Sequence, residues 1–148
     1  MLLYANQVEF LGYLIDKEGV HPNPEKVKGI LGAPIPTCIS ELRSFLAMLQ
    51  YYGKFLPNLS TLLQPLNNLL REGVSWLWGP DCQKAFDDAK QQLLSAKVLT
   101  HYDVKLPLVL ACDASSYSIG AVISHTMENG EERPIAFASR TLSSSENN

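Results

Sequence analysis

Apolar positions along the chain change their period once, near Ala96: helical spacing dominates before it, and strand-and-turn patterning follows it. The exception lies at the start, where Val8-Glu9-Phe10-Leu11-Gly12-Tyr13-Leu14-Ile15 is a β-rich run followed by the turn-like Asp16-Lys17-Glu18-Gly19, predicting a short hairpin. Pro22-Asn23-Pro24-Glu25 predicts a helix entry, with Asn23 as N-cap and Pro24 at the first helical position. Val27, Ile30 and Leu31 give that helix one apolar face, and Gly32 with the Pro34-x-Pro36 pair ends it. A second helix begins at about Thr37 or Ser40, with Glu41 near its positive end. It carries Leu42, Phe45, Leu46, Leu49 and Leu56 at helical spacing and stops at Pro57. Leu62, Leu63, Leu66, Leu69 and Leu70 form a third stripe, with Pro65 near its start. Gly79-Pro80 opens a fourth helix with Cys82, Ala85, Phe86, Ala89, Leu93 and Leu94 on one face, and Lys97 and Val98 mark its exit.

From residue 107 the pattern predicts strands. Leu108-Val109-Leu110-Ala111-Cys112 is almost continuously apolar, as expected of a strand buried on both faces. Ser118–Ser124 is a second strand, and Asn129-Gly130 signals the hairpin that follows it. Pro134–Ser139 is a third strand, with Pro134 suited to its first position. The fold class expected is therefore α+β: a helical segment, then a three-stranded antiparallel sheet.

Composition narrows the class without naming an activity. At 148 residues the chain suits one ordinary domain or two small ones, and 46% hydrophobic against 18% charged residues argues for a packed core. No apolar run approaches the eighteen or so residues of a membrane span, and Met1-Leu2-Leu3-Tyr4 lacks the basic n-region of a signal peptide. Cys38, Cys82 and Cys112 are an odd number without a Cys-x-x-Cys pair. They read as small buried hydrophobes in a reduced chain, which is expected to be intracellular rather than secreted. The net charge is −3, with six Lys/Arg against six Asp/Glu in residues 1–78 and six against nine in residues 79–148. Neither half has the basic surface of a self-sufficient nucleic-acid binder.

Several blocks, in order, carry a resemblance. Val8–Tyr13 and Glu18-Gly19-Val20-x-Pro22-x-Pro24-Glu25-Lys26-Val27 resemble the end of the palm in Ty3/gypsy-type reverse transcriptases. Glu41–Leu46 and Tyr51-Tyr52-Gly53-Lys54-Phe55-Leu56-Pro57 resemble their thumb, and Pro65-Leu66-x-x-Leu69-Leu70 with Trp78-x-x-x-Cys82-x-x-Ala85-Phe86 continues the match. Leu110–Ser115, Gly120-Ala121-Val122 and Pro134–Ser143 resemble the start of the attached ribonuclease H domain. Ala47 and Gln50 stand where the family usually has Gly and Asn, and Ser118 where Gly is common. The organisation implied is the end of the palm over residues 1–20, thumb and connection helices over 21–95, and a truncated ribonuclease H-like domain over 96–148. The implied parent is an RNA-directed DNA polymerase with ribonuclease H, using Mg²⁺ on RNA–DNA hybrids and template–primer.

The residues themselves limit that chemistry. Polymerisation needs carboxylates holding two ions about 3.5–4 Å apart, and the palm's Tyr-x-Asp-Asp turn is absent. Asp87-Asp88 is the one Asp pair, but adjacent helical positions point about 100° apart, as on a solvated face. The resemblance makes Asp113 the first ribonuclease H carboxylate and a metal ligand; taken alone, the residues read sooner as an Asp capping a strand-end turn with Ala114-Ser115-Ser116. In the family the second ligand is a Glu on a following helix, and this chain ends at Glu146-Asn147-Asn148. Glu128, Glu131 and Glu132 sit at the far hairpin tip, roughly 25 Å away along the strand. One carboxylate does not hold two Mg²⁺ tightly, so no stable metal and no nuclease activity are expected of the chain alone.

Phe10-Leu11-Gly12 corresponds by resemblance to the hairpin that steadies the primer end, or is an ordinary packed hairpin. Tyr51, Tyr52 and Lys54 offer a template-facing aromatic and basic edge, or a Tyr packs into the core. Trp76 and Trp78 read as core anchors between the helices and the second half. His21, His101 and His125 lack metal-ligand spacing and are assigned no role. The chain reads as a catalytically silent remnant of its parent. The alternatives are an interaction module, self-associating through an exposed sheet edge, or a chain without function.

Overall fold

A computed structural model describes residues 6–143, 145 and 146. The elements run β1 (Gln7–Phe10), β2 (Tyr13–Asp16), β3 (Val20–Pro22), α1 (Pro24–Leu31), α2 (Ile39–Tyr51), a 3₁₀ turn (Gly53–Phe55), α3 (Leu59–Leu62), α4 (Gln64–Asn68), α5 (Pro80–Leu94), β4 (Leu108–Ala114), β5 (Ser118–Thr126) and β6 (Glu132–Thr141). The fold is α+β, with two antiparallel three-stranded sheets, β1-β2-β3 and β4-β5-β6, flanking the helices in sequence.

The β-rich run at 8–15 is not one strand. It breaks at Leu11-Gly12, where both residues have positive φ (52° and 83°), and Phe10 pairs with Tyr13 across that two-residue turn. This is the primed turn whose twist suits a hairpin. Leucine rarely adopts that conformation, so the pattern gave no turn signal there. The Asp16–Gly19 turn is also used, and β3 completes a meander.

Asn23 caps α1 as expected, its Oδ1 accepting from Glu25 N at 3.0 Å, and Pro24 opens the helix. At the other end, Lys90 of α5 donates to Leu31 O at 3.0 Å and Ala33 O at 2.7 Å, satisfying carbonyls that α1 leaves open. The second helix stops at Tyr51, short of Pro57, and the chain tightens into the 3₁₀ turn before Leu56, which is buried all the same. The third apolar stripe falls on two short helices rather than one, because Leu63 leaves helical geometry (φ −88°, ψ 3°) between them; Asn58, left-handed at φ 53°, precedes the first.

The core is leucine-rich and gathers on the helices. Leu42, Leu49, Leu56, Leu63, Leu66 and Leu99 are essentially inaccessible, joined by Phe45, Tyr52, Phe55 and Phe86. Each such side chain contributes on the order of 1.5–3 kcal/mol of burial. Trp76 and Trp78 are half-buried and stack on each other at 6.1 Å, with Trp78 edge-on to Phe86 of α5. Their aromatic partners are on the helical side.

Three expectations are corrected here. Cys82 is buried, but Cys38, at the N-cap of α2, and Cys112, on β4, are exposed. Among the described residues β4 pairs only with β5, and it is largely exposed, with Leu108 and Leu110 open to solvent; apolar content tells that a strand needs cover, not that cover is at hand. Pro134 is the third residue of β6 and lies at a bulge opposite Ile123/Ser124, where its carbonyl accepts from Thr100 N at 2.8 Å.

One of the seams that join the sheets and the helices lies between α5 and β4. Val20 and Leu99 exchange two backbone hydrogen bonds (2.8 and 3.0 Å), and Leu99 buries its side chain in the helical core. Gly19, at φ 151°, passes so close that a Cβ would lie 2.0 Å from Leu99 O. Gly19→Ala is therefore expected to cost about 1–3 kcal/mol. Gly29→Ala, in α1 with open space around it, is expected to be neutral or to stabilise by up to about 1 kcal/mol. Urea denaturation of the two variants beside the unaltered chain measures both, and equal midpoints would remove the close approach from the account.

Candidate functional site

The expected nucleic-acid contacts fall into one neighbourhood built by the β1–β2 tip and the end of α2. Phe10 and Leu11 stand exposed at the tip, 57% and 68% accessible. Gly12 is held from behind: its carbonyl accepts from Tyr52 OH and from Asn23 N, both at 3.1 Å. A Cβ at Gly12 would meet the Tyr51 hydroxyl at 3.0 Å, so the tip and Tyr51 are in direct contact. Tyr51 is the exposed member of the tyrosine pair and Tyr52 the one packed into the core.

Tyr13, which sequence reasoning passed over, is at the centre of this cluster. Its ring stacks on Tyr51 (5.3 Å, 5°), and its hydroxyl donates to Tyr51 O at 3.0 Å. Tyr52 meets it edge-on at 5.9 Å and Phe55 lies tilted at 5.9 Å. Lys54 places Nζ 3.9 Å from the Tyr13 ring centroid, a cation–π contact. Burial lowers the Lys54 amine from its ordinary value and raises the Tyr13 and Tyr52 phenols. The available signal was Tyr13's position, one residue past a tip glycine and on the same hairpin. Beside the tip, Leu11, Gly12, Lys26, Ile30, Met48 and the two tyrosines line an apolar recess of about 410 Å³.

Asp113 lies elsewhere, near the end of β4 and opposite Gly120 of β5. Its Oδ1 accepts from Ala114 N at 2.9 Å, and the side chain is exposed. The β4–β5 turn is capped by Ser115, whose Oγ accepts from Tyr117 N (3.3 Å) and Ser118 N (3.1 Å). Asp113 and Ser115 thus share the amides of the strand end and turn.

The other carboxylates do not gather around Asp113. Glu128, Glu131 and Glu132 occupy the opposite end of β5 from Gly120, since Thr126 pairs with Glu132. Asp87 accepts from Gln83 and Asp88 pairs with Lys84 along one helix, as a solvated face does. Glu146 is engaged by Arg140 through two contacts (2.8 and 3.0 Å) and accepts from Ser143 N at 2.8 Å. Among the described residues, the group of carboxylates and imidazoles close enough to share an ion is Asp16, Glu18 and His21, on the first sheet. There His21 Nε2 pairs with Asp16 Oδ2 at 2.9 Å, and His101 Nε2 lies 2.6 Å from Asp16 O. His125 is fully buried between Asp103 N and Pro107 O. The donors around Asp113 therefore do not fit a two-ion centre.

The geometry acquires its context from known proteins. Residues 78–148 match the model of the RNase H-like domain found in reverse transcriptase. The Tf2-3 and Tf2-4 transposon polyproteins of Schizosaccharomyces pombe are each 37% identical over 145 residues, which is 98% of this chain. The chain belongs to the reverse transcriptase–RNase H-like family of retrotransposon polyproteins. It spans 11% of the length of those yeast relatives. The foamy viral protease-reverse transcriptase in complex with dsDNA superposes with a TM-score of 0.80 at 27% identity, covering 98% of this chain and 30% of that one. The same protein in complex with RNA/DNA hybrid gives 0.78 at 28% identity, covering 96% and 19%. Among the described residues no helix is long and apolar enough to cross a membrane.

The Arg140 guanidinium beside Glu146, with the Ser143 amide, holds that carboxyl down to about 2, from an ordinary 4.5. A carboxyl depressed in the folded state favours folding above its ordinary value and loses that contribution as pH falls. The Ser143–Glu146 turn is expected to stay tied to Arg140 down to about pH 4.5 and to release as pH falls through about 2. The pH dependence of the Glu146 carboxyl carbon and Arg140 Nε–H resonances reads this, and a midpoint at the ordinary value would contradict it.

Proposed function

We propose that this chain is the palm-end, thumb and early RNase H-like portion of a retrotransposon reverse transcriptase, with residues 1–20, 21–95 and 96–148 as its three parts. Its nucleic-acid surface is the β1–β2 tip with the end of α2, where Phe10, Leu11, Gly12, Tyr51 and Lys54 face the sugar–phosphate edge of an RNA–DNA hybrid or template–primer duplex. The observation that carries this reading is the convergence of those residues on one neighbourhood. The duplex-bound foamy viral enzyme, similar over nearly the whole chain, supports it.

Asp113 is the inherited RNase H carboxylate. A divalent ion such as Mg²⁺ at that position would polarise the scissile phosphate and activate water, and a working centre needs further carboxylates around it. Glu146 already serves Arg140, so the described residues bring Asp113 no second carboxylate. This stretch alone is catalytically silent and holds Mg²⁺ weakly. Its three unpaired cysteines suit a reducing, intracellular setting.

Incubating the chain with a labelled RNA–DNA hybrid and Mg²⁺ is expected to give no cleavage above the metal-only background. Cleavage that Asp113→Asn abolishes would sink the silent reading.

A second reading, self-association, is favoured by β4, an edge strand that exposes Leu108 and Leu110. Light scattering after size exclusion separates the two: a mass that grows with concentration supports self-association, and a monomer at all concentrations counts against it.

A further inference from the structure

We propose that Tyr13 is the positioning residue of the duplex-facing surface: its ring holds the Lys54 ammonium and the Tyr51 ring in one fixed arrangement at the hairpin tip. The inference rests on the reading of that surface given above. It concerns a residue that contacts neither strand but sets the two that do.

Lys54 is on a 3₁₀ turn, between Gly53 and Phe55, and a lysine there has a flexible four-carbon stem and a strongly hydrated head. Left alone, such a side chain loses rotamer freedom on meeting a phosphate. Here its Nζ is drawn over the face of Tyr13 at 3.9 Å, with the Phe55 ring 5.7 Å away. The side chain is half-buried and its amine partly dehydrated. Much of the cost of a phosphate contact is met before the phosphate arrives.

The opposite coupling runs to Tyr51. Parallel stacking at 5.3 Å and the hydroxyl donated to Tyr51 O fix both the ring and the backbone at the last residue of α2. The same Tyr51 ring closes against Gly12. Tyr13 thus ties a strand residue, the helix end and the basic residue beyond it into one unit. Tyr52, locked edge-on against both rings, keeps the unit from sliding. The net charge is −3, so a single well-placed cation matters more than it would on a basic surface.

The test uses the full chain, fluorescently labelled 20-base-pair RNA–DNA hybrid and DNA duplexes, and anisotropy across a salt series. Lys54→Gln is expected to reduce the salt slope by about one and the affinity by about two- to fivefold. Replacing Tyr13 by pentafluorophenylalanine, which keeps the ring's shape but reverses its electrostatic face, is expected to reproduce the Lys54→Gln slope. Combining the two changes is expected to be no worse than either. Tyr13→Phe, which keeps the negative face and loses only the hydroxyl, is expected to retain the slope. A residue that merely packs would give the fluorinated variant a wild-type slope, and that result overturns the proposal. So does a wild-type slope for Lys54→Gln.

A second readout needs no nucleic acid. The Lys54 Hε protons are expected upfield in the free chain through the Tyr13 ring current, and to keep that shift in Tyr13→Phe. Unshifted protons overturn the positioning directly. Duplex binding absent from the unaltered chain, with the upfield shift present, overturns the surface's function while leaving the clamp's geometry standing.

Discussion

The Val20–Leu99 bridge is the constraint on which the arrangement of the chain depends. Two backbone hydrogen bonds there join the first sheet to the connection that leads into the second, while the Leu99 side chain enters the helical core. A bridge of two residues is short for so large a task. It holds because Leu99 has no accessible surface to regain by leaving, and because Gly19 lets the backbones approach without a side chain between them. A second seam reinforces it: Ser60 N donates to the Ser139 hydroxyl, Thr61 pairs with Ser118, and Phe137 packs on the core. The tip that carries the candidate contacts inherits its position from this frame through β2.

What the sequence made legible was local in character. Asn23-Pro24 announced a cap and a first turn, and both formed, because each depends on the two or three residues beside it. Leu42, Phe45, Leu46 and Leu49 announced a buried helix face for the same reason. The Leu11-Gly12 turn was hidden, since leucine carries no turn preference and only the pairing of Phe10 with Tyr13 forces it into the left-handed region. The split of the third apolar stripe was hidden because Leu63 departs from helical geometry inside an unbroken helical pattern. The exposure of β4 was illegible in another way. Periodicity reports what a strand wants against its faces, and whether anything stands there is decided by the rest of the protein.

The candidate site divides along the same line. Phe10, Leu11, Gly12, Tyr51 and Lys54 were all recoverable from motif blocks, but their mutual arrangement was not. Tyr13 joins two blocks that lie 38 residues apart through its bond to Tyr51 O, and no single block shows that contact. Asp113 illustrates the opposite case. Its residues carried two readings, and in the fold Asp113 takes the Ala114 amide while the Ser115 hydroxyl takes those of Tyr117 and Ser118.

Chemistry on this chain is limited by where its carboxylates are committed rather than by how many it has. Fifteen acidic residues are present, yet each that could approach Asp113 in sequence has another engagement or another end of the sheet. Glu146 is the instructive one. It is the carboxylate that follows the Ser-Arg-Thr-Leu-Ser segment, and Arg140 with the Ser143 amide holds its carboxyl down to about 2. The pair is exposed, so the guanidinium matches the charge of Glu146 without burying it. The described residues thus gather no second carboxylate or imidazole around Asp113. The aromatic clamp at the other sheet supplies what a net-acidic chain most lacks, a cation held in place.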